Sequence, residues 1–374
     1  MKKKIFLIST TRAEYGLTKN ILLEKKKFKK INLKLIISGT HLSNFFGNTI
    51  KEIINDNIKI YKCINLNKKK INFQNVEKIF SKTLIKFSNF LKLQKPDAVI
   101  LFGDRYETFA VALACVLNKI TIFHIQGGEV TEGSIDNIFR NSISKMSKYH
   151  FVTNKISKKN IIKMGENPKN VFIIGSLFLD NLKRENFLPK KQIEKKFKFN
   201  FLNKNVLVTL HPETKGKILP DKQIKILLDV LKNFNDTLFI FTYPNQDKGH
   251  EIIVREIKKF VKKNKNAILI KSLGQSFFHS CLKHVDCIIG NSSSGIIEMP
   301  YFNKFSINIG NRQKGRPMAR SVFSVPYNKN LIFHALNKIN KGIKRLPNKE
   351  FLYGSGQAAG KMLRIINYKL IKNL

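Results

Sequence analysis

One repeating order constrains this chain more than any other feature. A short, continuously apolar run is followed by a cluster of glycine and polar residues, and then by a stretch of helical length. Ile5–Ser9, Leu33–Ser38, Asp97–Phe102, Ile120–His124, Tyr149–Val152 and Val171–Ile174 are runs of this kind. Helices are expected from about Glu14, over Arg105–Asn118 and over Ile135–Lys148. A strand that is apolar at every position is covered on both faces, and such strands separated by helices imply a parallel sheet with helices on each side. After a charged stretch from Lys183 to Asn205 the order restarts with Val206–Leu210, Thr237–Thr242, Ala267–Ile270, Val285–Ile289 and Phe305–Ile309. The expected architecture is α/β, with one half over 1–182, a second over 183–350, and a closing helix within 351–374 with no further domain after it. Length agrees, since a single core stops growing at roughly 250–300 residues and the chain has 374.

Charge raises a competing class. Lys and Arg number 69 against 25 acids, a formal net charge of +44, which first suggests a nucleic-acid partner. The lysines, however, are spread along the whole chain in runs no longer than Lys25–Lys27 or Lys68–Lys70, and arginine, the usual base reader, is scarce beside them. With abundant Asn, Ile and Phe and no Trp, the pattern reads as compositional drift on solvated faces, so no nucleic-acid partner is expected. The charge still attracts anionic substrates. No apolar run approaches the ~20 residues of a membrane helix. The start, Met1-Lys2-Lys3-Lys4-Ile5-Phe6-Leu7-Ile8, is too briefly apolar for a signal peptide and reads as a first strand. A cytoplasmic protein without membrane contact is expected. Cys63, Cys115, Cys281 and Cys287 form no Cys-x-x-Cys pair, so neither a zinc site nor a redox motif is signalled.

The polar clusters sit where a parallel sheet binds ligands, beyond the carboxyl ends of the strands. Thr10-Thr11-Arg12-Ala13-Glu14 joins a strand to a helix N-terminus, where free N–H groups and Arg12 suit an anion, or merely cap a helix. His41 follows the second strand, as a structural residue or a ligand contact. Asp104 follows Ala98–Phe102 and either caps the next helix or points at substrate. Gln126-Gly127-Gly128-Glu129 opens a stretch of three acids ending at Asp136, which is four residues before Arg140, a spacing that also makes a plain helix-face ion pair. In the second half His211, Tyr243-Pro244-Asn245 and Gly290-Asn291-Ser292-Ser293-Ser294-Gly295 each follow a strand. The last of these opens a helix expected to run through Glu298, the arrangement that holds a phosphate on N–H groups and hydroxyls. It lacks the Gly-Lys-Ser/Thr of a Walker loop. Gly310-Asn311-Arg312-Gln313 adds a basic loop suited to a diphosphate.

Taken in order, these pieces resemble the UDP-N-acetylglucosamine 2-epimerase family, its hydrolysing branch in particular. The carriers are Thr11-Arg12-Ala13-Glu14-Tyr15-Gly16, Gly39-Thr40-His41-Leu42, Gly47-Asn48-Thr49, Gly103-Asp104-Arg105-Tyr106-Glu107, Gly127-Gly128-Glu129-Val130, His211-Pro212, Gly290 to Gly295 and Gly310 to Gln313, spanning about residues 5–320. The resemblance implies two Rossmann-like domains facing across a cleft, of the glycosyltransferase-B type. It implies no metal, no redox cofactor, a nucleotide-sugar substrate and a homo-oligomer, dimer or tetramer. The implied reaction takes UDP-GlcNAc and water to free N-acetylmannosamine and UDP, through elimination to a glycal and hydration. Asp104 and Asp136 match acid/base carboxylates, Arg140 an arginine beside them, and His211 a histidine near the diphosphate. Ser292, Ser293, Gly295 and Glu298 match the nucleotide site, with Glu298 on ribose. Arg12, His41, Asn245 and Arg312 match further substrate contacts.

The chain departs from the family pattern at Gln126, where many members carry Glu, and at Asn141, where many carry His. Glutamine cannot act as a base, which leaves Glu129 as a candidate for that role. These changes suggest a modified ring, such as a 2,4-diacetamido-trideoxy sugar on a legionaminic-acid route. A non-hydrolysing epimerase returning UDP-ManNAc and a glycosyltransferase on the same scaffold are the nearest competing readings.

Overall fold

The computed structural model describes residues 2–42, 49–66, 76–130, 136–213, 218–244, 249–342 and 350–372. The chain forms two compact units, one of residues Met1–Asn181 with Tyr353–Leu374, the other of Leu182–Leu352.

The first unit is built on seven parallel strands: β1 (Lys3–Ser9), β2 (Ile31–Ile37), β3 (Ile60–Cys63), β4 (Ala98–Phe102), β5 (Thr121–Ile125), β6 (Tyr149–Val152) and β7 (Val171–Ile173). Their order is β3-β2-β1-β4-β5-β6-β7. Because side chains alternate along a strand, Ile5 and Leu7 enter one core and Phe6 and Ile8 the other. Helices Arg12–Glu24 and Ala358–Lys372 lie against the Ile5 face, and helices Val76–Gln94 and Tyr106–Leu117 cover the Phe6 face. The closing helix is thus part of the first unit. Asp180 caps it, its carboxylate accepting from the N–H groups of Ala358 and Ala359 at 2.8 Å each.

The second unit repeats the plan with β8 (Lys204–Thr209), β9 (Thr237–Thr242), β10 (Ala267–Ile270), β11 (Cys287–Gly290), β12 (Phe305–Ile309) and β13 (Val322–Val325), in the order β10-β9-β8-β11-β12-β13. Every pairing in both sheets is parallel. Each sheet reverses its winding once, between β1 and β4 in the first and between β8 and β11 in the second. Those switch points, at the carboxyl ends, are where open α/β sheets take their ligands.

The charged stretch 183–205 contains a helix, Lys190–Phe197, which buries Ile193. One local expectation needs correction. The helix after β11 is a single turn, Ser294–Ile297, and Glu298 ends it instead of lying inside it. Pro300, which has no N–H to donate, turns the following residues Met299–Phe302 into a 3₁₀ segment. Among the described residues no helix is long and apolar enough to cross a membrane.

Candidate active site

At the first switch point the loops after β1 and β4 are tied by a buried carboxylate. Thr11 and Glu14 form a capping box that starts helix Arg12–Glu24. Glu14 also accepts from the Thr10 N–H at 2.6 Å and hydroxyl at 2.9 Å, and from the Thr108 hydroxyl at 3.4 Å. Burial pushes its carboxyl up to about 7, against the pull of the Thr10 N–H and of Arg105. Arg105 in turn grips Glu107 through Nε and Nη2 at 3.1 Å each. His41 lies beneath this loop, fully buried, with Nε2 2.9 Å from the Ser9 hydroxyl and Nδ1 2.9 Å from the Thr49 hydroxyl. Desolvation lowers it to about 4, so it is neutral. Arg12 is largely exposed and pairs with Glu52 at 2.8 Å.

Asp104 stands two residues past β4 and pairs with Nη2 of Arg140. Arg140 is buried in helix Asp136–Met146, and its Nη1 donates to the Glu129 carbonyl at 2.6 Å. The structure brings Arg140 a carboxylate 36 residues away in the chain, one that the spacing of four does not reveal. Asp136 is also close enough to act on Asp104. Burial pushes the Asp104 carboxyl above its usual range, Arg140 pulls it down, and the negative charge of Asp136 pushes it up again. The loop itself rests on His124, whose Nε2 donates to the Gly103 carbonyl at 2.8 Å while Nδ1 accepts from Ser144 at 3.0 Å. Complete burial lowers His124 to about 3 and keeps it a neutral strut.

Gln126 begins the next loop with φ +68, a left-handed conformation uncommon without glycine, and its N–H is held by the Phe151 carbonyl at 2.9 Å. Gly128 follows at φ +73, where a Cβ would meet the Ser157 carbonyl oxygen at 2.3 Å. Glu129 is buried and accepts from the Thr153 hydroxyl at 3.0 Å.

At the second switch point three loops are locked together. The Asn291 side chain bridges the backbone of His211. Gln313 Nε2 and Arg312 Nη1 donate to the Asn291 carbonyl at 2.8 and 3.3 Å. Glu213 Oε1 accepts from the N–H groups of Asn311 and Arg312 at 3.0 and 3.2 Å. Burial, with Arg312 nearby, lowers His211 to about 4. Ser292 and Ser293 are half-buried beside this frame, and the Gly295 carbonyl accepts from Ser306 at 2.6 Å. Glu298 is buried, and its Oε2 has no hydrogen-bond partner among the described residues. Burial pushes its carboxyl up, with His279 opposing. Such an orphaned acceptor requires an explanation. Asn245 lies outside the described residues. Among the described residues no cluster of His, Cys, Asp and Glu has the form of a metal site.

Glu14, Glu213 and Thr153 were not singled out from sequence. Only Glu14 carried a signal, the Thr-x-x-Glu spacing of a capping box; the other two act through partners distant in the chain.

Comparison with known proteins decides the lineage. The family model described as UDP-N-acetylglucosamine 2-epimerase matches residues 23–367. The chain belongs to the UDP-N-acetylglucosamine 2-epimerase family. It is 39% identical to a Campylobacter jejuni protein named GDP/UDP-N,N'-diacetylbacillosamine 2-epimerase (hydrolyzing), over 94% of this chain and 89% of that one. It is 38% identical to the polysialic acid biosynthesis protein P7 of Escherichia coli, over 90% and 85%. In fold it is similar to the crystal structure of the Neisseria meningitidis UDP-GlcNAc 2-epimerase bound to UDP-GlcNAc, with a TM-score of 0.76, 22% identity and coverage of 98% and 99%.

Proposed function

We propose that the chain is a hydrolysing 2-epimerase of nucleotide-activated N-acetylamino sugars, releasing a ManNAc-type sugar and the nucleoside diphosphate. The grouping of Asp104, Arg140 and Asp136 at the head of the first sheet carries this reading. One carboxylate takes the proton from C2 as the diphosphate leaves C1 with the bonding pair, giving the glycal. Water then adds at C1, losing a proton to a base, while the second carboxyl returns a proton to C2 on the opposite face. Arg140 holds Asp104 in place, and Glu129 is the group available for the role that Gln126 cannot fill. In the second unit Ser292, Ser293, Gly295 and Arg312, with His211, suit a diphosphate, and Glu298 suits the ribose hydroxyls. Arg12 adds positive charge on the first unit.

For the sugar we favour a 2,4-diacetamido-trideoxy ring of the legionaminic-acid type. Its supports are the uncharged Gln126 and the name of the Campylobacter jejuni relative. Four cysteines, all free, suit a cytoplasmic protein.

The test is an NMR time course in deuterated water with UDP-GlcNAc and with UDP-N,N'-diacetylbacillosamine. A free 2-epimerised sugar carrying deuterium at C2, together with UDP, is expected. An intact epimerised nucleotide sugar would place the chain with non-hydrolysing enzymes. Much faster turnover of UDP-GlcNAc would overturn the diacetamido assignment.

A further inference from the structure

In the second unit, helix Gly274–His284 carries His279, which is buried and faces a carboxylate: its Nδ1 lies 3.3 Å from Oε2 of Glu185. The segment that begins with Glu185 is tied to this helix twice more. The Leu188 N–H donates to the Ser280 hydroxyl at 2.9 Å, and His284 Nε2 donates to the Leu188 carbonyl at 2.8 Å. Between these ties Phe187 meets Phe302 edge to face, with ring centroids 5.4 Å apart. Phe302 closes the 3₁₀ segment Met299–Phe302, which begins directly after Glu298. Met299 in turn shares a core cluster with Cys281 and Leu282 of the helix. Three stretches far apart in the sequence are fixed to one another in this way. His279 comes close enough to Glu298 for its charge to act on that carboxyl.

Two atoms of this buried group are unmatched. Glu298 Oε2 is sealed from water with no hydrogen-bond partner among the described residues. His279 makes its one hydrogen bond to a described residue through Nδ1, which leaves Nε2 unengaged. An imidazole nitrogen and a carboxyl oxygen are complementary whichever of them holds the proton, as N–H donating to O or O–H donating to N. Stability alone does not call for such a group, since apolar side chains of similar volume serve a buried site as well or better.

The use of the group follows from Glu298. A carboxylate that receives ribose hydroxyls must be held at a fixed rotation, or its oxygens do not meet them. Oε2, being sealed, is the oxygen that faces inward, and Oε1 is the one left for the ribose. We infer that His279, anchored by Glu185, is a positioning residue of the nucleotide site: it engages Oε2 of Glu298 from within the unit and so aims Oε1 at the ribose. The inference rests on the reading of Glu298 as the ribose carboxylate.

The experiment measures the affinities of UDP and 2′-deoxy-UDP by calorimetric titration of the full chain. The proteins compared are the wild type, Glu298→Ala, His279→Leu, His279→Gln and Glu185→Gln. The wild type is expected to prefer UDP, and Glu298→Ala to lose that preference. His279→Leu should weaken UDP binding roughly tenfold, as loss of one hydrogen bond to a charged group does, and leave 2′-deoxy-UDP nearly untouched. His279→Gln, whose side-chain NH₂ can donate to Oε2, should keep most of the preference. Glu185→Gln should reduce it in smaller measure, and decides the matter if His279→Leu does not fold. If Glu298→Ala loses the preference while His279→Leu and Glu185→Gln keep it, or weaken both nucleotides alike, His279 only packs and the inference alone is overturned. If the wild type binds the two nucleotides equally, or Glu298→Ala keeps the preference, the ribose reading falls and the inference falls with it.

Discussion

The side-chain amide of Asn291 spans the backbone of His211, its Oδ1 accepting from the His211 N–H at 2.7 Å and its Nδ2 donating to the His211 carbonyl at 2.8 Å. Asn291 is fully buried, so nothing replaces these bonds when the amide is removed. Asn291→Ala should cost about 2–4 kcal/mol, two buried partners being left unsatisfied, read as a lower urea midpoint. UDP affinity should fall as well, because His211 and the loop after β11 lose their common brace.

Asp104 and Arg140 invite a pH profile. As a base Asp104 must be ionised, and burial already raises its carboxyl while Arg140 opposes the rise. Replacing Arg140 with Met removes the opposing charge. The acidic limb of kcat/KM should then move to higher pH. Asp104→Asn should lower kcat roughly 10²–10⁴-fold and leave UDP binding intact. An unmoved acidic limb in Arg140→Met would show that another group titrates there.

Glu14 makes a stability prediction whose sign is opposite to that of an ordinary paired carboxylate. Its carboxyl rises on folding from 4.5 to about 7, so the folded state holds the proton more tightly. The stabilisation is fully present below about pH 4.5 and is lost as pH climbs through about 7. The swing is on the order of 3 kcal/mol. Glu14→Gln keeps an acceptor for Thr10 and abolishes the titration. Urea midpoints at pH 4.5 and 7.5 should therefore differ less in the variant than in the wild type.

Gly290 ends β11 at φ +141, where a Cβ would lie 2.0 Å from the Thr209 carbonyl oxygen and 2.6 Å from its carbon. Both atoms are backbone of the neighbouring strand β8 and cannot step aside. Gly290→Ala should destabilise the second unit by more than about 4 kcal/mol, seen as a separate early transition in calorimetry.

Much of this was legible in the sequence, for identifiable reasons. Strands buried on both faces are apolar at every position, so β4 and β9 announce themselves. Chemistry at switch points leaves small and polar residues directly after such strands, which is how Asp104, His211 and Ser292 were found. Strand β3 was missed because its residues Ile60–Cys63 are half-buried or exposed and it sits at a sheet edge. Strand β13, at the edge of the other sheet, was missed for the same reason. The Asp104–Arg140 pair could not be read because local spacing offers only Asp136, while Asp104 arrives through the pairing of β4 with β5. The braces Glu213 and Thr153 are likewise products of tertiary contact.

The route of the chain has a consequence for synthesis. Helix Ala358–Lys372 supplies Met362, Leu363 and Ile366 to the core beneath β1 and β2, although all of residues Leu182–Leu352 are made before it. On the ribosome the second unit can close while the first still shows water an open groove along helix Arg12–Glu24. The half that begins first is completed last, and nascent chains arrested before Ala358 should be captured by chaperones through that groove.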